Sequence, residues 1–252
     1  MRSLVAALAV LSACDAANHG RAPAQAFQPA PASASALAAE PVPPDPEPIH
    51  MAALNDGTEA PTFVLRGSPR GDALLVFLHG MCGHGLGYAQ SFQFSAARRG
   101  TLIAPQGDVR CGQGPWAAWS GDLEKLDQRI IGAFHALGYD EPLREIVLIG
   151  YSQGASRAEE LCRRHPERYT RLISIGAPRP PSARGLGHLR AALMMAGEHD
   201  RQDVMQLGVR SLRRAGIPVS FQQIPEATHG AMGPTPEKTM GAALDWLFES
   251  SR

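Results

Sequence analysis

The segment from residue 146 to 161, IVLIGYSQGASRAEEL, predicts a buried strand, a tight turn and a helix in immediate succession. Four β-favouring apolar residues lead into the turn, and an Ala/Glu/Leu/Arg-rich run typical of helices follows it. Ser152 stands in the turn between Gly150 and Gly154. A turn this sharp brings neighbouring chain close, so both flanking positions need to lack a side chain. The segment therefore predicts a serine held clear of the sheet at a helix N-terminus, whose amides favour negative charge.

Apolar runs of strand length alternate with helical patterns along most of the chain. The predicted strands cover residues 74–78, 101–104, 146–149, 171–175, 191–196 and 218–224. The predicted helices cover residues 87–98, 121–137, 153–164, 201–214 and 236–249. This alternation favours a mainly parallel sheet with helices on both faces. Side chains that carry out chemistry then gather at the carboxyl ends of the strands.

The turn at Ser152 has the Gly-x-Ser-x-Gly form of a nucleophile elbow, and with three further segments it resembles the α/β-hydrolase family. ALLVFLHGMCGHG at residues 73–85 resembles the family's oxyanion loop, which contains a His-Gly pair. The Gly-x-x-Asp turn ending at Asp200 resembles its acid turn, and EATHG around His229 resembles its histidine loop. The order serine, acid, histidine is also that of the family. The resemblance covers about residues 60–250 and implies the α/β-hydrolase fold.

The resemblance implies a role for three side chains. Ser152 would be the nucleophile, and His229 would be the base that accepts its proton. Asp200 would be the acid that orients the imidazole. Asp200 also stands directly before a predicted helix, where an N-cap role is an alternative. Glu226 and Asp203 are the alternative acids.

Backbone amides and aromatic residues complete the site that the resemblance implies. The amides of Met81 and Gln153 would form the oxyanion hole. Trp116 and Trp119 follow the strand predicted at 101–104, and they either wall an acyl or alcohol pocket or anchor their loop in the core. His79 belongs to the His-Gly pair and is expected to shape the oxyanion loop or to border the pocket.

Three cysteines lie within the region of resemblance. In the family sheet the strands that precede Cys82 and Cys111 are neighbours, so the resemblance implies a Cys82–Cys111 disulfide. Cys162 falls in the helix after Ser152 and is expected to be a small buried hydrophobe. A zinc site built from His79, Cys82 and His84 is disfavoured by its ligand spacing. No metal and no cofactor is expected.

The first 50 residues predict an export signal followed by a tether. Residues 1–13 combine a basic start with an apolar stretch that is too short to span a bilayer, as in a signal peptide. Leu-Ser-Ala-Cys ending at Cys14 resembles the lipidation site of bacterial lipoproteins, and ordinary cleavage after Ala26 is the alternative. The Ala/Pro-rich residues 14–50 predict a disordered tether, and residues 51–252 would form the catalytic domain.

Composition sets the expected location and partners. The 252 residues with 44% hydrophobic content suffice for one sizeable core. Lys+Arg and Asp+Glu both number 24, so the charge gives no indication of a nucleic-acid partner. We expect an exported monomer, anchored at a membrane only through its N-terminal lipid and located in the periplasm or at the cell surface. Secretion is the alternative.

The resemblance implies a serine hydrolase that cleaves carboxylic esters through an acyl-enzyme. GYSQGAS and the lack of room for a cap are most similar to the phospholipase/carboxylesterase and dienelactone-hydrolase-like branches. The interval from residue 176 to 189 is too short for a cap domain, which favours small-molecule or lipid esters with short to medium acyl chains. Thioesterase, peptidase and acyltransferase activities are alternatives on the same fold. A non-catalytic surface lipoprotein that only binds ligands is the alternative from another class.

Overall fold

Ten strands and six helices occur in the described residues of the computed structural model, which are 51–54, 60–67 and 71–251. The strands are β1 (Ala52–Leu54), β2 (Thr62–Leu65), β3 (Ala73–Leu78), β4 (Gly100–Pro105), β5 (Val109–Arg110), β6 (Ala117–Ala118), β7 (Ile146–Tyr151), β8 (Tyr169–Ile175), β9 (Ala191–Gly197) and β10 (Val219–Ile224). The helices are α1 (Gly85–Gln90), α2 (Gln93–Arg99), α3 (Leu123–Ala136), α4 (Gln153–Arg164), α5 (Gln202–Arg214) and α6 (Pro236–Glu249). The predicted signal peptide, Cys14 and the tether lie outside the described residues.

Eight strands form a single sheet in the order β1-β2-β4-β3-β7-β8-β9-β10. All pairs from β4 to β10 are parallel, and only β1 and β2 at one edge are antiparallel. Parallel neighbours need crossover connections, which helices provide everywhere except between β8 and β9. The predicted mainly parallel sheet is confirmed. Within the described residues, no helix has the length and apolar character needed to cross a bilayer.

The six predicted strands are present with ends that differ by at most three residues. The helix predicted over 87–98 is two helices, α1 and α2, because the backbone leaves the helical region at Phe92. The Phe92 ring is fully buried and packs edge-on against Phe77, at 5.6 Å between ring centres. Strands β1 and β2 and the small β5–β6 hairpin were not predicted, because runs of two to four residues are too short to show a strand period.

Helices cover both faces of the sheet, as predicted. One apolar cluster joins the sheet to α3, α4 and α5, and a second joins it to α1, α2 and α6. The connection between β8 and β9 contains turns but no helix. The expected absence of a separate cap therefore holds for this connection, and the carboxyl edge of the sheet is not covered by an inserted domain there.

The turn between β7 and α4 is as sharp as its sequence predicts. Ser152 has φ 51° and ψ −112°, and its amide donates to the carbonyl oxygen of Ile175 at 2.8 Å. A Cβ atom at Gly150 would lie 2.5 Å from the Cα of Ala155. At Gly154 it would lie only 2.0 Å from the carbonyl oxygen of Leu78. Glycine is required at both places because backbone atoms, which cannot move aside, occupy the space.

We expect Gly154→Ala to destabilise the protein, because the added methyl group overlaps the Leu78 backbone. The loss in unfolding free energy should reach about 3 kcal/mol, as for severe overpacking. Gly132→Ala is the matched control, since Gly132 also lies in a helix but has nothing near its Cβ direction. There alanine should stabilise by about 0.5–1 kcal/mol. Urea unfolding of both variants checks the prediction, which is wrong if the two stabilities are equal.

Candidate active site

The side chains of Ser152, His229 and Asp200 form a chain of hydrogen bonds at the carboxyl edge of the sheet. The Ser152 hydroxyl lies 3.0 Å from Nε2 of His229, and Nδ1 of His229 lies 2.8 Å from Oδ2 of Asp200. A carboxylate only accepts, so Nδ1 carries the proton and Nε2 is free to accept the serine proton. The Asp200 side chain is 7% exposed and that of His229 is 50% exposed. The carboxylate is thus shielded while the imidazole faces solvent.

The Asp200 carboxylate is held by two hydrogen bonds. Its second oxygen accepts from the amide of Arg201 at 2.7 Å. Helix α5 has Arg201 at its N-cap and no capping side chain, so Asp200 does not act as the N-cap of this helix. Among the described hydrogen bonds and ion pairs, none joins Glu226 or Asp203 to His229. The geometry favours Asp200 over both alternative acids.

Gly176 is a site residue that sequence reasoning missed. It follows β8 directly, has φ +54°, and donates its amide to the carbonyl oxygen of Met195 at 2.8 Å. A Cβ atom here would lie 3.0 Å from Oδ2 of Asp200 and 3.3 Å from Cε1 of His229. The Asp200–His229 pair therefore packs directly on this glycine. Its position immediately after a predicted strand was the only available signal.

Two tyrosines hold the histidine loop, and neither was predicted. The Tyr88 hydroxyl donates to the carbonyl oxygen of Gly230 at 2.8 Å, and the Gly230 amide donates to the Tyr151 hydroxyl at 2.7 Å. The Tyr151 ring lies edge-on to His229, with 5.7 Å between ring centres. Burial raises the pKa of Tyr151 to about 12, so its hydroxyl stays neutral. Because Tyr151 precedes Ser152, it ties the elbow to the loop that carries the base.

The two amides predicted for the oxyanion hole are free of other bonds. Gln153 is the first residue of α4, and Met81 follows Gly80, whose added Cβ would lie 3.3 Å from the Cβ of Ser152. In the part of the chain that the structure describes, no hydrogen bond uses the amide of Met81 or Gln153. The side chain of Gln153 also has a structural role that was not predicted, because it bonds the amide and carbonyl of Trp119 at 3.2 and 3.3 Å.

His79 and Trp119 support the oxyanion loop from within the core. His79 is fully buried, and Trp119 is 5% exposed. The Trp119 indole donates to the carbonyl oxygen of His79 at 2.8 Å. His79 donates from Nδ1 to the carbonyl oxygen of Gly80 at 2.7 Å and accepts from the Gly107 amide at Nε2, at 2.8 Å. Of the alternatives for these two residues, the structure therefore favours shaping the loop over bordering a pocket.

The predicted Cys82–Cys111 disulfide is present, with 5.4 Å between the Cα atoms. The Cys111 amide donates to the carbonyl oxygen of Trp116 at 3.0 Å. Trp116 is half-exposed beside the His84 ring, and it remains the aromatic candidate for a pocket wall. Cys162 is free and buried, as expected. No group of three metal-binding side chains occurs among the described residues.

Comparison with known proteins identifies the fold class. No protein-family model matches the chain, and no curated protein matches its sequence. A predicted CIB-like hydrolase from Thermoplasma acidophilum matches with a TM-score of 0.56 and 16% identity, over 80% of this chain and 98% of its own. Esterase PE8 matches with a TM-score of 0.57 and 20% identity, over 73% of this chain and 97% of its own. Carboxylesterase CesB from Bacillus subtilis matches with a TM-score of 0.56 and 16% identity, over 79% of this chain and 92% of its own. The chain thus has the α/β-hydrolase fold.

We expect His79 to make the protein acid-sensitive. Burial, the largest cause, lowers the pKa of His79 to about 4, and its Nε2 is already occupied by the Gly107 amide. The unfolded chain, with a histidine pKa near 6.5, binds more protons between these two values. Stability is therefore fully present above about pH 6.5 and is lost as the pH falls toward about 4, by up to about 3 kcal/mol.

Urea unfolding over this pH range measures the effect. The unfolding free energy of His79→Gln should fall less steeply with decreasing pH than that of the wild type, because an amide gains no proton. His199→Gln, which changes an exposed histidine, should keep the wild-type slope. Identical slopes in the wild type and His79→Gln would contradict the prediction, whatever the stability of the variant at neutral pH.

Proposed function

We propose that this protein is a serine hydrolase that cleaves carboxylic esters through an acyl-enzyme. The observation that carries the proposal is the hydrogen-bonded chain from Ser152 through His229 to Asp200. This arrangement activates a serine hydroxyl, which by itself is a weak nucleophile. The structurally similar proteins include esterases, and their names support the same reaction class.

In the proposed reaction, Oγ of Ser152 bonds to the ester carbon while its proton moves to Nε2 of His229. The negative charge passes to the carbonyl oxygen, which the amides of Met81 and Gln153 stabilise. The carbon–oxygen bond to the alcohol then breaks, and the alcohol oxygen takes the proton from His229. Asp200 keeps the imidazole oriented and stabilises its charged form.

A water molecule completes the cycle. It gives a proton to His229 as its oxygen bonds to the acyl carbon, and Ser152 leaves with that proton when the acid departs. Thioesterases, peptidases and acyltransferases share the first half of this route and differ in the leaving group or in the acceptor. Among these activities we propose ester cleavage, because the similar structures are named as esterases.

The disulfide and the N-terminal sequence support a proposed location. Disulfides persist in oxidising compartments, so the Cys82–Cys111 bond supports export. We propose that Cys14 carries a lipid that anchors the catalytic domain at the membrane surface, with secretion as the alternative. Mass spectrometry of the mature N-terminus distinguishes the two, since only the first leaves an acylated cysteine.

We expect Ser152→Ala and His229→Ala each to lower ester turnover by several powers of ten. The two residues act in one proton transfer, so the double variant should be little worse than either single variant. Asp200→Asn should also lower ester turnover severely, whereas Glu226→Gln should retain activity. A fluorophosphonate probe should label the wild type at Ser152 and leave Ser152→Ala unlabelled.

Three results would contradict these roles. Multiplication of the Ser152→Ala and His229→Ala losses in the double variant would mean that the residues act separately. Full activity in Asp200→Asn with a collapse in Glu226→Gln would move the acid to Glu226. An unlabelled wild type that nevertheless folds would favour the non-catalytic binding module. Circular dichroism of each variant controls for unfolding.

We expect short and medium acyl esters to be better substrates than long ones. Without a cap between β8 and β9, a long chain stays largely in water, and each methylene left unburied forgoes about 0.8 kcal/mol. The measurement is kcat/KM for p-nitrophenyl esters from acetate to palmitate, using Cys14→Ala to exclude effects of a lipid anchor. A palmitate preference with a rate increase at micelle formation would contradict the prediction.

A further inference from the structure

A groove of about 380 Å³ opens at Ser152 and follows α4 toward the connection between β8 and β9. One wall carries Ser152, Ser156 and the charged residues of α4, and the other carries Pro178, Arg179 and Pro180. The groove therefore starts at the proposed nucleophile and is lined mainly by polar and charged side chains. A substrate group that extends from the reacting carbon into this groove meets charged side chains as well as apolar surface.

The charged side chains of α4 neutralise each other in two ion pairs. Arg157 pairs with Glu160, one turn along the helix, and Arg163 pairs with Glu159. Glu159 is buried and also accepts from the amide of Ser182 at 2.9 Å. These four groups contribute no net charge to the groove, and Arg163 also donates to the carbonyl oxygens of Arg184 and Ser182.

Arg179 is the remaining charged residue of the groove, and it has no such partner. It is exposed, and among the described hydrogen bonds and ion pairs none involves its guanidinium. The lining residues together therefore carry one excess positive charge. A guanidinium offers five donors in a planar fork that matches a carboxylate or phosphate group.

The backbone that carries Arg179 is held in place on both sides. The amide of Ala177 donates to the sulfur of Met205 at 3.2 Å. Buried Pro181 packs so closely on α5 that a Cβ atom at Gly208 would lie 2.7 Å from its ring. Prolines at 178 and 180 further restrict the chain on each side of the arginine. A positioned cation loses less conformational freedom on binding than one on a mobile loop.

We infer that Arg179 is a specificity-determining residue that selects esters with an anionic group on the acyl or alcohol portion. The inference rests on the proposed function, because the groove begins at Ser152. A carboxylate or phosphate placed in the groove would receive charge-assisted hydrogen bonds from Arg179, and Ser156 offers a hydroxyl on the opposite wall. Neutral esters of the same size lack this interaction, so charge separates the two substrate classes.

Pairs of esters of similar size, one anionic and one neutral, test the inference. Mono-p-nitrophenyl adipate against p-nitrophenyl hexanoate places the charge on the acyl side. 4-Carboxyphenyl butyrate against 4-carbamoylphenyl butyrate places it on the alcohol side. The measured quantity is the ratio of kcat/KM for the anionic and the neutral ester, corrected for spontaneous hydrolysis, in the wild type, Arg179→Gln, Arg179→Lys and Arg184→Gln.

Arg179→Gln should lower this ratio about tenfold in one of the two pairs, and that pair identifies the side of the substrate that carries the charge. Tenfold corresponds to about 1.4 kcal/mol. Arg179→Lys should retain part of the preference, because it keeps the charge but loses the fork. Arg184→Gln changes an exposed arginine of the same connection outside the groove, and it should keep the wild-type ratio. Added salt should reduce the wild-type ratio.

An unchanged ratio in Arg179→Gln for both pairs would overturn the inference while leaving the proposed function intact. An equal fall in Arg184→Gln would also overturn it, since the effect would then arise from overall charge. Absence of all ester turnover together with absence of fluorophosphonate labelling would overturn the proposed function, and the inference with it. Turnover of the neutral esters thus distinguishes failure of the inference from failure of the proposed function.

Discussion

The contact between Gly154 and the carbonyl oxygen of Leu78 is the constraint on which the rest of the site depends. A methyl group on Gly154 would lie 2.0 Å from that oxygen, so α4 can begin this close to β3 only with glycine at this position. The contact holds Ser152 beside Gly80, and the neighbouring amides of Met81 and Gln153 make no other hydrogen bond among the described residues. The strained φ of Ser152 is maintained because this packing leaves the chain no alternative.

Buried uncharged side chains position the hydrogen-bonded residues Ser152, His229 and Asp200. His79, Trp119 and Tyr151 are all inside the protein and direct their polar atoms at loop backbones. Each such bond is strong because water does not compete for it, and each leaves its partner loop in one conformation. His229 is half-exposed but is held by this framework through Gly230. The His229 imidazole thus stays accessible while the groups that hold its loop remain buried.

The connection between β8 and β9 affects both proposals about the substrate. It is too short to cover the site, so it leaves an open groove instead of an enclosed apolar pocket. It also contributes Gly176 beneath the Asp200–His229 pair and Arg179 at the groove wall. The same segment therefore supports the Asp200–His229 pair and provides the charge that we propose selects the substrate. The prolines of this connection limit the motion of a segment that lacks regular structure. The segment can therefore keep both Gly176 and Arg179 in position.

The sequence by itself determined the six parallel strands and most of the helices, their order, the glycines of the elbow and the three side chains at strand ends, because these depend on local periodicity and on short spacings. Only the tertiary structure decided that Asp200 and not Glu226 meets His229, that His79 and Trp119 face inward, and that α1 and α2 separate at Phe92. It also revealed Gly176, Tyr88 and the unpaired Arg179. These features arise from contacts between residues distant in the chain, whose distances no local pattern encodes.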